Sequence, residues 1–259
     1  MRNQSGFIDT EITNGAGVIT LNRPSVLNAL NRRMVSEIVG IMEEFDRSDL
    51  VQVIVLQGAG RAFAAGADID EMMNNDSIDL ELLNQFAEWD RLAWIKKPII
   101  GAVQGFALGG GFELALCCDI LLAANDAEFG FPEVKLGVMP GAGGTQRLTK
   151  LIGRSNAMRW LLTGESFSAQ QAKEYGIVYA LVPKEVLAEE VMKLAYSIAQ
   201  QPPLSLRLIK ESVHKAVDLP LYEGMQLERK NFYLLFSSED QKEGMQAFKE
   251  KRSPHFKGR

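Results

Sequence analysis

The stretch GFALGGGFEL, residues 105–114, carries the strongest structural signal in this chain. It places three consecutive glycines, Gly109 to Gly111, directly before an apolar run that contains Glu113. Because glycine has no Cβ, the backbone here can approach a ligand closely. If the apolar run begins a helix, its first N–H groups point outward and favour negative charge. A carboxylate beside such donors indicates chemistry on an acyl group rather than packing.

Two further segments have a similar character. Residues 129–137, FGFPEVKLG, place Glu133 directly after a proline and between two glycines, and residues 61–69, RAFAAGADI, form a loop rich in glycine and alanine. Taken singly, each also has an ordinary interpretation. Glu113 could be an ordinary acid in the first turn of a helix, where the helix dipole favours it. Glu133 could be a surface residue after a proline, and Asp68 could be a helix cap.

Length and composition narrow the class of protein. A chain of 259 residues can bury a sizeable core, as one large domain or as one domain with a helical extension. The net charge of −5 argues against a nucleic-acid surface, which is normally basic. Cys117 and Cys118 are too few for a disulfide framework and predict a buried structural role in a reducing compartment. Without an N-terminal signal core or an apolar stretch of membrane-spanning length, we expect a cytoplasmic protein with no membrane partner.

Hydrophobic periodicity predicts an α/β fold. Apolar runs typical of strands occur at residues 7–12, 18–21, 51–56, 98–103 and 120–124. The dipeptide Asn14-Gly15 predicts a tight turn between the first two. Helices are expected over residues 31–47 and over a segment marked by Leu82, Phe86, Trp89 and Leu92.

The hydrophobic pattern changes toward the C-terminus, where the apolar residues of most segments recur at helical spacing. We expect a core of residues 1–183 followed by a helical region of residues 184–259. Ser168 with Gln171, and Ser238 with Gln241, have the spacing of capping boxes at helix starts.

Motifs for nucleotides and metals are missing from the sequence. Gly58-Ala59-Gly60 lacks the third glycine of a dinucleotide loop, and residues 141–145 lack the lysine of a P-loop. The two histidines, His214 and His255, have no metal-site spacing to the glutamates, and a solvated or core histidine is the default for both. We therefore expect no metal and no redox cofactor.

Taken together, the segments resemble the enoyl-CoA hydratase/isomerase (crotonase) superfamily over nearly the whole chain. The resemblance rests on residues 64–69, 105–113, 118–120, 129–133, 140–148 and 243–248. It implies a spiral of ββα units followed by a helical C-terminal trimerisation region, with trimers usually paired into hexamers. The periodicity agrees with this α/β class, although by itself it does not produce the spiral.

The resemblance also implies roles for single residues. The thioester carbonyl of an acyl-CoA substrate would lie between the backbone N–H groups of Ala67 and Gly110, which form an oxyanion hole. One such donor contributes about 3–4 kcal/mol in other enzymes. Hydratases of the family carry both glutamates. We assign Glu113 to activating water and Glu133 to protonating the α-carbon, and the alternative is that both carboxyl groups share these two roles.

The resemblance implies that the backbone around Ala65, Ala67, Asp68 and Ile69 binds coenzyme A. Two residues near the C-terminus are implied as well: Phe232, often from a neighbouring subunit in the family, and Lys251, which is equally typical of a solvated tail charge. The acyl pocket is expected after Asp68, with Met72, Met73 and residues 80–83, where ordinary helix core is the alternative.

These inferences predict an enoyl-CoA hydratase that adds water to 2-trans-enoyl-CoA, giving 3-hydroxyacyl-CoA, without metal or redox cofactor. The nearest alternative is an enoyl-CoA isomerase with Glu133 as the proton shuttle. An alternative of another class is an RNA-binding protein on the same scaffold, for which residues 249–259 supply five basic side chains. We expect an acyl-CoA substrate, no nucleic-acid partner, and a homotrimer or homohexamer.

Overall fold

The computed structural model describes residues 2–259, with the backbone alone for residues 2–5. Its strands are β1 (Arg2–Ser5), β2 (Ile8–Thr13), β3 (Ala16–Leu21), β4 (Val53–Gly58), β5 (Ile99–Val103), β6 (Phe106–Leu108), β7 (Ile120–Ala124), β8 (Glu128–Gly130), β9 (Ser166–Ser168) and β10 (Ala180–Val182). They form a seven-stranded sheet with the order β1-β2-β3-β4-β5-β7-β10 and a three-stranded sheet with the order β6-β8-β9.

The connections between strands explain the spiral. Strands β1 to β3 pair antiparallel, and the hairpin between β2 and β3 turns at Asn14 and Gly15, both with positive φ, as predicted. From β3 onward the large sheet is parallel. The consecutive strands β5 and β6 lie in different sheets, as do β7 and β8, so the chain passes from one sheet to the other as it winds. This arrangement confirms the predicted fold class.

Eleven α-helices occur within residues 2–259: α1 (Arg32–Arg47), α2 (Ser77–Leu83), α3 (Ala87–Leu92), α4 (Gly110–Ala115), α5 (Gly144–Ile152), α6 (Arg154–Thr163), α7 (Ala169–Glu174), α8 (Leu187–Ala199), α9 (Pro203–Ala216), α10 (Leu221–Leu235) and α11 (Glu239–Glu250). Four short 3₁₀ segments in the same range lie at Pro24–Val26, Ile69–Glu71, Pro132–Leu136 and Lys184–Val186. None of the helices in this range is long and apolar enough to span a membrane.

The first predicted helix is confirmed and the second is wrong as a single element. In α1, the Asn31 side chain accepts a hydrogen bond from the Met34 N–H at 2.8 Å and so caps the helix. The predicted helix around Leu82 to Leu92 is instead two short helices. Asn84 adopts a left-handed conformation with φ 42°, which ends α2, and α3 begins only at Ala87. Periodicity spans this break because both pieces contribute apolar residues.

Of the two predicted capping boxes, one is complete. At the start of α7, Ser168 accepts from the Gln171 N–H, and the Gln171 side chain accepts from the Ser168 N–H. At the start of α11, Ser238 accepts from the Gln241 N–H at 3.1 Å, but the buried Oε1 of Gln241 has no hydrogen-bond partner in the described chain. The reciprocal half of that second prediction is therefore wrong.

Alternation along the strands divides the core into two apolar clusters on opposite faces of the large sheet. In β4, Ile54 and Leu56 face the larger cluster, which includes α1, whereas Val53 and Val55 face the other cluster. Helix α8 covers that second face with Leu187, Val191 and Ala195. Although α8 lies beyond residue 184, it thus packs as a layer on the sheet, and the division of the chain at that residue stays a prediction.

Candidate active site

Two loops meet at the predicted oxyanion hole. Gly66 and Gly109 have positive φ, and a Cβ on Gly66 would lie 3.3 Å from the Leu108 carbonyl oxygen. A Cβ on Gly110 would lie 3.5 Å from the backbone nitrogen of Ala67. The backbones at Ala67 and Gly110 therefore lie against each other without a side chain between them, and only glycine permits the turns that bring them together.

The N–H groups at this meeting point differ in their availability. The Ala65 and Asp68 N–H groups donate to the Leu27 and Leu30 carbonyls at 3.0 and 2.9 Å. Across the described residues, no carbonyl or side chain accepts a hydrogen bond from the Ala67 N–H, and the Gly110 N–H is the first of α4 and has no partner within the helix. Two unpaired donors on adjacent backbones are what an oxyanion hole requires.

Glu113 is buried in α4, with 4% of its surface exposed. Its Oε1 accepts hydrogen bonds from the Ala142 and Gly144 N–H groups, both at 2.8 Å. Gly144 is the first residue of α5, whose N-cap residue Gly143 has no side chain to cap it, so the Glu113 carboxylate satisfies the helix start instead. Burial raises the pKa of Glu113 above its usual range, and these two N–H groups and the positive charge of Arg147 oppose that rise.

Glu133 lies in the 3₁₀ segment Pro132–Leu136, and its carboxyl group faces the triple glycine. Its Oε1 is 2.9 Å from the position that a Cβ on Gly109 would occupy. Its Oε2 is buried without a hydrogen-bond partner in the described chain. Burial raises the pKa of Glu133, a hydrogen bond from its own backbone N–H opposes that rise, and the nearby charge of Glu113 adds to it, so that the pKa of Glu133 is about 7. The two glutamates are therefore close enough to influence each other's ionisation, and they titrate as a pair.

Four aromatic rings pack together beside the two segments that carry the glutamates. The Phe112 and Phe131 ring centroids are 4.8 Å apart, and Phe129 and Phe167 complete the cluster at 5.3 and 5.7 Å from Phe112. All four side chains are fully buried. Phe112 precedes Glu113, and Phe131 lies two residues before Glu133, so the packing of these rings fixes the distance between the two segments. Sequence reasoning missed this role, although phenylalanines recur beside both glutamates.

The loop that carries Ala67 is held by polar residues that sequence reasoning also missed. Asn28 is fully buried, and its Nδ2 donates to the carbonyls of Ala59, Ala62 and Phe63. The Asp68 carboxylate forms an ion pair with Arg23 at 3.2 Å and makes no capping hydrogen bond. Asp68 therefore occupies the N-cap position of the 3₁₀ segment Ile69–Glu71, but its side chain does not cap it. A polar residue within the apolar pattern around Asn28 is the signal that could have identified it.

A cavity of about 490 Å³ lies against the loop whose Ala142 N–H binds Glu113. It is lined by Phe86, Trp89, Asp90, Ala93, Trp94, Gly141, Ala142, Gly143 and Arg147. None of the residues predicted for the acyl pocket lines it, and Met73 and Leu82 are 69% and 81% exposed. In a single chain, α3 and its flanking residues thus line this cavity, and the segment around Met72 does not.

The remaining predicted site residues are exposed in the single chain. Ile69, predicted to contact coenzyme A, is about half exposed. Phe232 is 55% exposed on α10 and packs against Tyr233 and Phe236. Lys251 ends α11 in a left-handed conformation with φ 55°. The roles of Phe232 and Lys251 in binding coenzyme A stay predictions.

His214 is exposed to solvent, as expected, and it also has a carboxylate partner. Its Nε2 lies 2.7 Å from Oδ1 of Asp119, and Lys210 binds the other carboxylate oxygen at 2.8 Å. Helix α9 is thereby joined to the segment before β7. Residues 2–259 contain no group of three His, Cys, Asp or Glu side chains arranged to hold a metal ion.

Comparisons with known proteins show the family of this chain. The model of the family described as enoyl-CoA hydratase/isomerase matches residues 11–259. A mitochondrial enoyl-CoA hydratase of Pongo abelii is 47% identical over 244 residues, covering 94% of this chain and 84% of that protein. A probable enoyl-CoA hydratase of Mycobacterium bovis is 46% identical over 240 residues and covers 93% of both.

A solved structure described as an enoyl-CoA hydratase subunit from Geobacillus kaustophilus HTA426 is 64% identical. It superposes with a TM-score of 0.96, and the match covers 98% of this chain and 99% of that one. With the family model matching nearly the whole sequence, this chain belongs to the enoyl-CoA hydratase/isomerase family.

Proposed function

We propose that this protein is an enoyl-CoA hydratase that adds water across the double bond of a 2-trans-enoyl-CoA. The observation that carries the proposal is the buried Glu113 and the half-buried Glu133 beside two unpaired backbone donors. Glu133 has a carboxyl oxygen without a partner and a pKa raised by burial to about 7, so it can hold a proton near neutral pH. Glu113 is bound by two N–H groups, which favour its ionised form.

The reaction then balances over these groups. The Glu113 carboxylate accepts a proton from water as the water oxygen bonds to C3 of the substrate. Electrons of the double bond move toward the thioester, and the developing enolate oxygen is stabilised by the Ala67 and Gly110 N–H groups. Glu133 gives its proton to C2. The product is 3-hydroxyacyl-CoA, and the pair of glutamates still holds one proton.

The assay that tests this proposal is mixing crotonyl-CoA with the protein in the presence of a chelator. We expect the absorbance of the conjugated thioester to fall and the product mass to rise by the mass of one water. Activity that appears only after a metal is added would contradict the mechanism. A 3-enoyl-CoA substrate distinguishes the hydratase from the isomerase alternative, because an isomerase converts this substrate to the 2-enoyl-CoA without any change in mass.

The charges of the C-terminal tail do not favour the RNA-binding alternative. Arg252 forms ion pairs with Glu243 and Glu250, and Lys257 and Arg259 lie within 4 Å of Glu239. Basic side chains that are already paired attract a phosphate backbone less than free ones do. We therefore keep hydration as the function and propose an acyl-CoA thioester as the partner.

We further propose that the protein works as a homotrimer or homohexamer in the cytoplasm. In the single chain, helices α9 and α10 bury none of their residues. Apolar side chains that remain exposed on adjacent helices usually mark contact surfaces. Two unpaired cysteines suit a reducing compartment.

A further inference from the structure

We infer that Arg147 is a positioning residue for hydration: its guanidinium, on the helix whose first N–H holds Glu113, keeps the Glu113 carboxylate ionised and ready to accept a proton from water. The inference deepens the proposed function and rests on it.

The geometry places Arg147 and Glu113 against the same short loop. Oε1 of Glu113 is bound by the Ala142 and Gly144 N–H groups. Arg147 stands one turn into α5, where its N–H donates to the Gly143 carbonyl at 2.9 Å. Its Nε lies 3.3 Å from the position that a Cβ on Gly143 would occupy. The side chain therefore folds back over the loop rather than pointing away along the helix.

The Arg147 guanidinium forms no ion pair with a carboxylate of the described residues. Within the described chain, no Asp or Glu oxygen lies within 4 Å of Arg147, although Asp90 lines the same cavity. By contrast, Lys150 in the next turn of α5 is exposed and paired with Asp218. A half-buried cation without a partner is costly, and its field acts on the nearest buried anion.

The other charged or titratable groups around Glu113 do not supply this effect. Glu133 is also acidic, and its charge would repel that of Glu113. The Cys117 thiol lies on the turn after α4, and burial raises its pKa, so it remains neutral. Arg147 is the cation whose charge lowers the pKa of Glu113 against the effect of burial. Losing that charge would let Glu113 hold a proton at a higher pH, where it cannot act as a base.

The test is the pH dependence of hydration by Arg147→Gln and Arg147→Lys. For Arg147→Gln, we expect the acidic limb of the kcat/KM profile to move up by about 0.5–1 pH unit, so that activity on that limb falls about 3- to 10-fold. KM at the optimum pH should change little. Arg147→Lys keeps the charge and should retain the parent profile. Lys150→Gln removes the same charge from the same helix and should also leave the profile unchanged.

A second measurement does not depend on activity. In a Glu133→Gln background, ¹³C NMR of labelled glutamate follows the titration of Glu113 directly, and adding Arg147→Gln should raise its midpoint. If the parent protein hydrates crotonyl-CoA but Arg147→Gln shifts neither the profile nor the NMR midpoint, the inference is wrong while the proposed function stands. A parent that fails to hydrate overturns the function first. Should Arg147→Gln fold poorly, Arg147→Met, which keeps the aliphatic stem, repeats both measurements.

Discussion

Glu113 and Glu133 have unequal hydrogen-bond partners: Oε1 of Glu113 accepts hydrogen bonds from two backbone N–H groups at 2.8 Å, whereas Oε2 of Glu133 is buried with no partner in the described chain. Hydrogen bonds to a carboxylate favour its charged form, and burial without them favours the neutral form. The inequality therefore places the negative charge on Glu113 and the proton on Glu133. Addition of water needs the pair in that state, with one base and one acid.

Replacing either glutamate should separate binding from chemistry. We expect Glu113→Gln and Glu133→Gln each to lower kcat by about 10²–10⁴-fold, the usual range for a lost acid–base group, with a much smaller change in KM. The double variant should lose far less than the product of the two single effects, because the groups act as a unit. Steady-state kinetics with crotonyl-CoA measure this. Glu174→Gln, an exposed acid on α7, serves as the control, and parent-like turnover in either active-site variant would end the two-carboxylate mechanism.

The pH profile should follow the proton that the pair shares. As the pH rises through about 7, Glu133 loses its proton, so kcat/KM for hydration should fall with a midpoint near that value. Dehydration of 3-hydroxyacyl-CoA should have the same profile, since hydration consumes no net proton and the ratio of the two rate constants is fixed by the equilibrium. A value of kcat/KM that rises between pH 7 and 9 in either direction would contradict the acid role of Glu133.

The same raised pKa predicts a cost in stability. A carboxyl group whose pKa is higher in the folded than in the unfolded chain favours folding below its unfolded pKa, and this advantage is lost as the pH rises through the folded value. For Glu133 that window lies between about 4.5 and 7. Glu133→Gln should therefore raise the free energy of unfolding by about 1–3 kcal/mol at pH 8 and change it little at pH 4.5. Thermal melts at both pH values measure the difference, and equal effects at the two would count against the buried charge.

The sequence predicts the parts of this fold whose signals are local. The capped helix α1, the hairpin at Asn14-Gly15 and the strand β7 follow from spacing and turn chemistry within a few residues. The short strands of the second sheet were not predicted. Strands β6, β8 and β9 have three residues each, too few for a period to appear, and they form because the chain returns to the same place from distant positions.

The site shows the same division. The paired glutamates and the glycines beside them are visible as motifs, and the structure brings Glu113, Glu133, Ala67 and Gly110 together. The groups that hold Glu113 are 29 and 31 residues away in the chain, and Arg147 is farther still. Nothing local in the sequence assigns them to Glu113, because the contact depends on how α5 packs against α4.

The triple glycine should tolerate no side chain at its third position. A Cβ on Gly111 would lie 2.1 Å from the Ala64 carbonyl oxygen, which is backbone and cannot turn aside. Gly111→Ala should therefore separate the Ala64 and Gly111 segments, lower the melting temperature and abolish hydration. Gly40→Ala is the matched control: a Cβ there meets nothing within 4 Å on the helix α1, and alanine should stabilise that helix by about 0.5–1 kcal/mol. Melting temperature and activity of the two purified variants decide the matter.

The C-terminal helices predict an assembly. Leu221 and Phe248 are 81% and 85% exposed in the single chain, and Phe232 is 55% exposed. Burying such side chains contributes about 1.5–3 kcal/mol each, which gives these helices a strong tendency to associate. Light scattering should report a trimer or hexamer. Truncation before residue 220 removes α10 and α11 and should both dissociate the assembly and abolish activity.

Point variants test the assembly prediction more specifically than truncation does, because truncation also removes two helices from the folded chain. The double variant Leu221→Asp with Phe232→Asp should shift the protein toward monomers while leaving its circular dichroism unchanged. Leu50→Asp, at a residue 63% exposed in the turn between α1 and β4, should leave the assembly intact. If Phe232 contacts coenzyme A from a neighbouring subunit, Phe232→Asp should raise KM for crotonyl-CoA more than Leu221→Asp does. A monomeric variant with parent-like kcat/KM would show that neither the interface nor Phe232 takes part in the site.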